Sequence, residues 1–426
     1  METELRKMLL YAINNVPYYK DIFNHADMRE FVSDISCEDD NQWNSVPVMN
    51  KDICRSVGSR LLSDEYSHQY TTSRVVIKRT SGSTGKCLNI HWSIKDDIIV
   101  NMEAWKWRKK WYGVDIADKY ATFHSTLYGS NRFIDDRLYI IKNNNNISFN
   151  KTLMNPENIN NFIVQMKDYG VSVILTQPSV LNLILKYADC NSMRIIRGMK
   201  YIELIGECLS NQQFALFKGL LPEVKISNMY GTTETGYVAL TCPFGNMHVL
   251  DSTFIEVVDD YNNLLNDNEF GKFLLTSKRN KAMPIIRYDI GDRGKQYWVD
   301  CPCGCEKKCI QLKEGRICDT ILLSNGNEIP CYVLWYPVEK INAEYMDCIV
   351  QYYFVQEELS RITGYLYFDS KYSHWRSAIE RRLLDLLHEC VGDSISFEIR
   401  YQEGNFFATK DKLNFFYRKD EICERS

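Results

Sequence analysis

Between Gly170 and Gly236 the chain alternates apolar runs of strand length with helical ones, and this alternation limits the fold more than any other stretch. Residues 171–176 are apolar and β-branched, which predicts a buried strand. Pro178 then stands where the first turn of a helix tolerates proline, so a helix is expected over 179–188. A second strand, 201–205, ends in Gly206-Glu207; Ser210 is placed to cap a helix reaching Leu221, and 224–227 makes a third strand. Strands joined through helices do not pair as hairpins, and the crossover makes them parallel. The fold class expected is therefore α/β, and ligands should collect at the carboxyl ends of the strands.

Those ends are rich in groups suited to a nucleotide. After the third strand comes Asn228-Met-Tyr-Gly-Thr-Thr-Glu-Thr-Gly236. Tyr230 offers a flat face for a purine, Gly231 leaves room beside it, Thr232 and Thr233 can donate to phosphate, and Glu234 is a carboxylate able to hold Mg2+. Each alone also fits an ordinary surface role, but their conjunction at a strand end is harder to dismiss.

A second cluster lies earlier, in Arg79-Thr80-Ser81-Gly82-Ser83-Thr84-Gly85-Lys86, between strand-like runs at 75–79 and 87–92. Glycines let backbone N–H groups close around an anion, and hydroxyls and an ammonium complete the shell. This is not the P-loop of kinases, which has a longer gap between its glycines, a Ser or Thr after the lysine and a helix next; here Cys87 and a strand follow. A plain glycine-rich hairpin turn fits the same eight residues equally well.

The remaining chain adds context. With 426 residues there is room for two or three domains, and a formal charge of −4 leaves no basic excess for nucleic acid or an anionic membrane as main partner. Neither a secretory leader nor a long apolar run is evident, so the fifteen cysteines are expected to be reduced and the protein cytoplasmic. A helix is expected over 4–23 on the surface of the main domain, broken at Val16-Pro17, and an extended segment over 46–51. Another helix should span 93–111, capped by Ser93, with Ile98, Ile99, Met102 and Trp105 on its apolar face. The asparagine-rich stretch 143–150 reads as an exposed loop.

Further on, 254–258, 272–276 and 284–292 read as strands, with Asp292 after a glycine turn and suited to accept both hydroxyls of a ribose, or simply to cap that turn. From Tyr332 onward, strands at 349–354, 364–368 and 394–401 and a helix at 375–389 read as a small α+β domain.

Five motifs now stand in order: the Thr80-to-Lys86 loop, Gly206-Glu207, Tyr230 to Glu234, Arg287-Tyr288 with Gly291-Asp292, and Gly315-Arg316 with Asp319. In that order the chain resembles the adenylate-forming enzymes over nearly its whole length. It is most similar to the branch of phenylacetate-coenzyme A ligases and related capsule-biosynthesis proteins, marked by Val16-Pro17-Tyr18-Tyr19, the run from Ala282 to Tyr288, and Cys-x-Cys-Gly before the Gly-Arg pair.

The resemblance implies a large N-terminal ATP- and acid-binding domain over 1–314, with a parallel sheet and a β-rich subdomain, and a C-terminal lid over 315–426. It implies that Ser81, Gly82, Ser83, Thr84, Gly85 and Lys86, with Thr80, hold the β- and γ-phosphates. It further implies that Gly206, Glu207 and Tyr230 line the adenine, Thr233 touches the α-phosphate, Glu234 binds Mg2+, and Asp292 and Arg316 hold the ribose. A lid lysine completes catalysis, because charge develops on several phosphate oxygens together. Lys412 is the matching residue, but Asp411 stands where the family has glycine, which leaves Lys410 open as well.

Members of that branch also carry Cys-x5-His and Cys-x-Cys pairs, here Cys242 with His248 and Cys301 with Cys303, an accepted set for structural Zn2+. Cys305 or Cys309 would substitute, and four isolated thiols are the bland alternative. The function implied is ATP-dependent activation of a carboxylic acid, aryl or medium apolar if Phe123, Tyr128 and Met229 line its pocket with 177–179, followed by transfer to coenzyme A. Transfer to an amine, an alcohol or a carrier-protein thiol, and a non-catalytic zinc-containing nucleotide-binding protein, stay open, as does a homodimer.

Overall fold

A computed structural model describes residues 3–23, 43–44, 46–67, 74–80, 88–124, 133–135, 140–151, 154, 156–207, 209–316, 320–324, 328–345, 348–402 and 416–419. The chain divides into two compact units, Met1–Gly82 with Cys87–Ile116 and Ser227–Lys313, and Ser83–Lys86 with Ala117–Ile226 and Glu314–Ser426.

In the first unit the break foreseen at Val16-Pro17 separates helices Thr3–Asn15 and Pro17–Phe23. They do not merely lie on the surface. Leu5, Leu9, Ala12, Val16, Tyr19 and Phe23 are buried in one cluster with Trp92, Ile285, Ile286 and Tyr288. Asn50 caps helix Lys51–Val57 by accepting from the Ile53 N–H.

The strand pair Val75–Arg79 and Asn89–Ser93 leads into helix Ile94–Tyr112, where Ser93 accepts from the Asp96 N–H and Gly113 ends the helix in the left-handed region. Here the expected face is wrong. Ile98 and Met102 are 56% and 46% exposed, and Ile99 is exposed as well, whereas Val100, Ala104, Trp107, Arg108 and Tyr112 are buried. The helix is rotated because Arg108 goes inside, its guanidinium 4.7 Å from the Trp105 ring centre and 5.2 Å from that of Tyr237.

The rest of this unit is antiparallel sheet. Thr253–Val258 pairs with Gly271–Ser277, which pairs with Tyr288–Tyr297. Met247–Val249 lies between Cys309–Arg316 and Gly236–Thr241, and the latter pairs with Lys225–Thr232. The segment before Tyr288, expected as strand from 284, is irregular instead because Arg287 takes φ +48°. Its guanidinium is fully buried. Nε meets the Glu256 carboxylate at 3.1 and 3.3 Å, and Nη1 donates to the carbonyls of Asn44 and Val46 at 2.8 and 2.7 Å. Nε and Nη1 are satisfied in this way, and Nη2 is buried without a hydrogen-bond partner among the described residues; pairing of this kind is what makes a buried charge tolerable.

The second unit holds the parallel sheet. Asn146–Asn150, Tyr120–His124, Val173–Thr176 and Tyr201–Ile205 lie side by side, each neighbouring pair parallel. Pro178 opens helix Pro178–Tyr187 and Ser210 forms a capping box with Gln213 on helix Asn211–Leu220. Helix Cys190–Arg197, capped by Asp189, is an element the sequence reading passed over. The stretch expected as an exposed loop, 143–150, contains a buried strand in which Ile147 and Phe149 join the core and Asn146 donates to Thr122 Oγ1 at 3.2 Å.

The C-terminal part of this unit has its own core, including Leu334, Phe354, Leu366, Leu383 and Leu387. A hairpin of Ile349–Glu358 and Arg361–Phe368 is flanked by parallel partners Phe416–Arg418 and Ser396–Gln402, and helix Arg376–Val391 buries Ile379, Leu383, Leu386, Leu387 and Val391. Within this unit Lys186 pairs with Asp369 at 3.6 Å, tying helix Pro178–Tyr187 to the end of strand Arg361–Phe368.

Replacing Arg287 by Met should leave the Glu256 carboxylate buried without its cation and lower stability by about 3–5 kcal/mol, read by urea unfolding. A loss below about 1 kcal/mol, the scale of an exposed pair, would show that the ion pair does not hold these segments together.

Candidate functional site

In the first unit, the run from Tyr230 to Glu234 does not sit in an open loop after a strand. Strand Lys225–Thr232 continues through Tyr230 and Gly231, and a turn at 233–235 returns the chain along Gly236–Thr241, with Gly236 opposite Thr232 and Tyr237 opposite Gly231. The turn is held from three sides. Trp92 Nε1 donates to the Thr233 carbonyl at 3.0 Å, Thr235 N donates to Thr232 Oγ1 at 3.0 Å, and the Tyr288 hydroxyl donates to Glu234 Oε1 at 3.1 Å. Gly236 has φ +83°, and a Cβ there would lie 2.8 Å from Val100 Cγ1. Glycine is required on both counts.

Glu234 is 6% exposed. Burial, with the Glu234 carboxylate nearby, pushes the Cys54 thiol up to about 12, so Cys54 is an inert neighbour. Glu234 is thus a buried acid whose carboxylate is held by the Tyr288 hydroxyl.

Asp292 reaches the same region through an irregularity. Leu274 pairs with Asp289 and Lys272 with Arg293, so the intervening residues of strand Tyr288–Tyr297 bulge, helped by Gly291 at φ +78°. Asp292 Oδ2 accepts from the Tyr230 hydroxyl at 2.8 Å. The tyrosine named for a purine and the acid named for a ribose are therefore in contact.

Thr80 closes the neck of the glycine-rich loop: its N–H donates to the Leu88 carbonyl and its Oγ1 accepts from Leu88 N–H, at 2.9 and 2.8 Å. Residues 81–87 lie outside the described residues, so Ser81, Gly82, Ser83, Thr84, Gly85 and Lys86 do too. The same holds for Tyr128, Asp319, Lys410 and Lys412. Arg316 ends strand Cys309–Arg316.

In the second unit, Gly206 and Glu207 follow strand Tyr201–Ile205, Gly206 at φ +88°. Glu207 Oε2 accepts from the Ser179 N–H at 3.1 Å. Phe123 is packed in the core, 5.4 Å from Phe149 between ring centres.

The sulfur and imidazole groups converge within the first unit. One donor atom each from Cys242, His248, Cys301 and Cys303 lies within 4.8 Å of every other. Cys242 Sγ and Cys301 Sγ are 3.7 Å apart, close to the roughly 3.8 Å edge of a tetrahedral zinc thiolate pair. Cys303 Sγ is 3.2 Å from His248 Nε2, whereas Nδ1 of the same ring lies 3.2 Å from the Lys307 carbonyl and 3.3 Å from Cys309 Sγ. Nε2 thus faces the cluster and Nδ1 faces its surroundings, as in metal-ligating histidines.

Burial pushes the Cys301 thiol up, but the Cys303 backbone N–H and hydrogen bonds from His248 and Asn246 outweigh it and bring Cys301 down to about 6. Burial and the Cys301 neighbour push Cys303 up to about 12. One thiolate is favoured without a cation; a bound divalent ion would draw the others down. Cys305 is buried and outside this group.

No protein-family model and no curated protein matches the chain by sequence. Solved structures match by fold. 2-Hydroxyisobutyryl-CoA ligase in the postadenylation state, in complex with 2-HIB-AMP, superimposes with a TM-score of 0.70 at 14% identity, over 98% of this chain and 89% of that one. The same ligase with 2-HIB-AMP and CoA in the thioesterification state matches with a TM-score of 0.55 at 15% identity, over 99% and 91%. Anthranilate CoA ligase AuaEII in complex with anthranoyl-AMP matches with a TM-score of 0.53 at 13% identity, over 80% of this chain and 66% of that one. The chain has the adenylate-forming ligase fold.

Within this adenylate-forming fold, three supporting residues escaped the sequence reading. Trp92 and Val100 shape the turn that carries Glu234, and Tyr288, noted only as part of a motif, supplies the hydroxyl that orients it. Nothing in the local sequence signals these pairs, since Tyr288 lies 54 residues from Glu234 and Trp92 lies 141 from Thr233. Among the described residues no helix is long and apolar enough to cross a membrane.

Gly236→Ala should be destabilising by about 1–3 kcal/mol, from strain at positive φ and the clash with Val100. Thermal unfolding of the variant checks this, and an unchanged melting temperature would show that the turn adapts freely.

Proposed function

We propose that this chain activates a carboxylic acid as its acyl-adenylate and transfers the acyl group to coenzyme A. The reading rests chiefly on the pairing of Tyr230 with Asp292 beside the fixed acid Glu234, in a chain whose fold is that of ligases crystallised with acyl-AMP. The thioesterification-state complex of such a ligase with CoA supports the choice of acceptor.

In the first step a carboxylate oxygen of the acid bonds to the α-phosphorus of ATP and the bond to the bridging oxygen breaks, releasing pyrophosphate. In the second the coenzyme A sulfur bonds to the acyl carbon, AMP leaves, and the thiol proton is lost. Tyr230 presents its ring to the adenine, and Asp292, anchored by the Tyr230 hydroxyl, accepts from the ribose. Glu234, held by Tyr288, would ligate a Mg2+ ion, which would supply positive charge to the phosphates, while Thr233 would donate to the α-phosphate and Thr80 would brace residues 81–87 for the outer phosphates. Gly206 and Glu207 keep their adenine-lining role, and Arg316 its ribose contact. Lys412 supplies the late positive charge from the C-terminal part of the chain.

Cys242, His248, Cys301 and Cys303 hold a structural zinc ion in this reading. With four protein ligands such an ion would leave no open position for substrate, and these residues would use it to cross-link the turn after Gly236–Thr241 to the segment before Cys309–Arg316. The natural product of its removal is a looser β-rich region.

Pyrophosphate release should depend on both ATP and an acid, and thioester formation on coenzyme A. Product formed with hydroxylamine or a carrier protein but never with coenzyme A would move the acceptor to another class. Lys412→Ala should slow pyrophosphate release by about 10²–10³-fold, with Lys410→Ala nearly unaffected; a large loss in Lys410→Ala alone would exchange the two roles, and full activity in both would remove the assignment. Protein isolated without chelator should carry one zinc per chain, and Cys303→Ser should lose it and melt at lower temperature. Metal-free protein with unaltered melting would overturn the zinc site.

A further inference from the structure

We infer that Lys186 and Asp369 are positioning residues for the adenylation step, docking the C-terminal part of the chain on the end of helix Pro178–Tyr187. The inference rests on the acyl-adenylate reading and deepens it. Both residues belong to the second unit, in which the C-terminal part has a core of its own. Lys186 Nζ stands 3.6 Å from Asp369 Oδ2, with the two side chains only 13% and 10% exposed. Beside the pair, Tyr187 and Tyr367 pack against the core of the parallel sheet. Burial, the Tyr367 hydroxyl and the Asp369 charge hold the Tyr187 phenol above its ordinary range.

Each side of the contact is fixed by its own surroundings. Asp369 follows strand Arg361–Phe368; its N–H donates to the Cys348 carbonyl at 2.8 Å, and its Oδ1 accepts from the Lys371 N–H at 3.0 Å. On the other side Asn160, in helix Pro156–Tyr169, donates to the Tyr187 carbonyl at 3.1 Å and accepts from the Asp189 N–H at 2.9 Å. A lysine in the last turn also suits the helix dipole, but that role calls for no burial and no acid from a distant part of the chain. An ion pair gains little firmness over an apolar contact of the same size, because its attraction must offset the hydration that both ions lose. The ions recover that hydration on separation, so a charged pair suits a contact that forms and breaks.

Helix Pro178–Tyr187 joins this contact to the nucleotide side. Its start is clamped by Glu207, which accepts from the Ser179 N–H, and its end carries Lys186. Ten residues of helix set the two ends about 15 Å apart, so Lys186 acts by placing the C-terminal part and not by touching ATP. The docked strand Arg361–Phe368 pairs with Ile349–Glu358, which pairs in turn with Phe416–Arg418. Lys412 stands four residues before Phe416, which tethers it within about 14 Å by chain length. One helix therefore links the residues proposed for adenine to the part of the chain that bears the late lysine.

The test uses the full chain with Lys186→Asp, Asp369→Lys and the double exchange. Three quantities are read: pyrophosphate release with ATP and the best of a panel of aryl and medium-chain acids, thioester formation from the supplied acyl-AMP of that acid with coenzyme A, and the radius of gyration by solution X-ray scattering. Each single reversal should lower kcat for pyrophosphate release about tenfold with KM for ATP unchanged, and the double exchange should recover to within about threefold of native. Thioester formation should stay near the native rate throughout. The radius should rise in the single reversals and return in the double exchange. Where a reversal fails to fold, Lys186→Met and Asp369→Asn replace it, each with a loss in kcat of about threefold or more. An equal fall in both half-reactions, a double exchange no better than the single reversals, or an effect confined to KM would overturn the inference. Should the native protein release no pyrophosphate with any acid, the acyl-adenylate reading falls. Scattering then judges the docking separately, and reversals of unchanged radius would overturn it.

Discussion

The buried guanidinium of Arg287 holds together what surrounds it in the first unit. A charge without solvent needs acceptors at fixed positions, and two segments supply three acceptor groups: the Glu256 carboxylate from strand Thr253–Val258, and the carbonyls of Asn44 and Val46 from the N-terminal segment. Its backbone is equally engaged, with N–H on Thr276 Oγ1 and carbonyl accepting from Met49. That many bonds sustain a non-glycine residue at φ +48°. The strain is placed one residue before Tyr288, and so fixes where the following strand begins and where its first hydroxyl points.

Tyr288 and the bulge after it carry the consequence to chemistry. The hydroxyl orients Glu234, and the bulge aims Asp292 at Tyr230. Each of the two acids is held by a tyrosine hydroxyl. Preorganised charge is worth more than mobile charge at a reacting phosphate, because no reorganisation is needed as the transition state forms. Trp92 and Gly236 serve the same end, letting the 233–235 turn lie close against Val100 while holding the Thr233 carbonyl.

The thiol and imidazole cluster belongs to the same β-rich region. Its two halves are 59 residues apart and meet because Met247–Val249 pairs with Cys309–Arg316, His248 opposite Cys309. Lys307 reinforces the meeting, pairing with Asp251 at 2.6 Å while Glu103 of helix Ile94–Tyr112 accepts from the Ser252 N–H. A helix whose buried face already includes Arg108 is thereby joined to the cluster by charge as well as by packing.

Local chemistry made much of this legible in the amino-acid order. Pro178, Ser93 and Ser210 mark helix starts because each acts on groups within three residues of itself, and the strand Tyr201–Ile205 was visible with its observed ends. The cysteine and histidine pairs could be named because such residue types at such spacings are scarce. The strand Asn146–Asn150 was hidden, since asparagines favour turns when alone, whereas here the Asn146 amide donates to Thr122 of the neighbouring strand Tyr120–His124. The face of helix Ile94–Tyr112 was misjudged for a similar reason: Arg108 goes inside because aromatic rings meet its guanidinium, and one of them, Tyr237, lies far along the chain. The order of residues alone thus determined the alternation of elements, their caps and the inventory of reactive groups. Tertiary structure alone decided which of those groups touch, because hydrogen bonds between Tyr230 and Asp292 or Tyr288 and Glu234 are set by strand register and backbone strain acting across more than fifty residues.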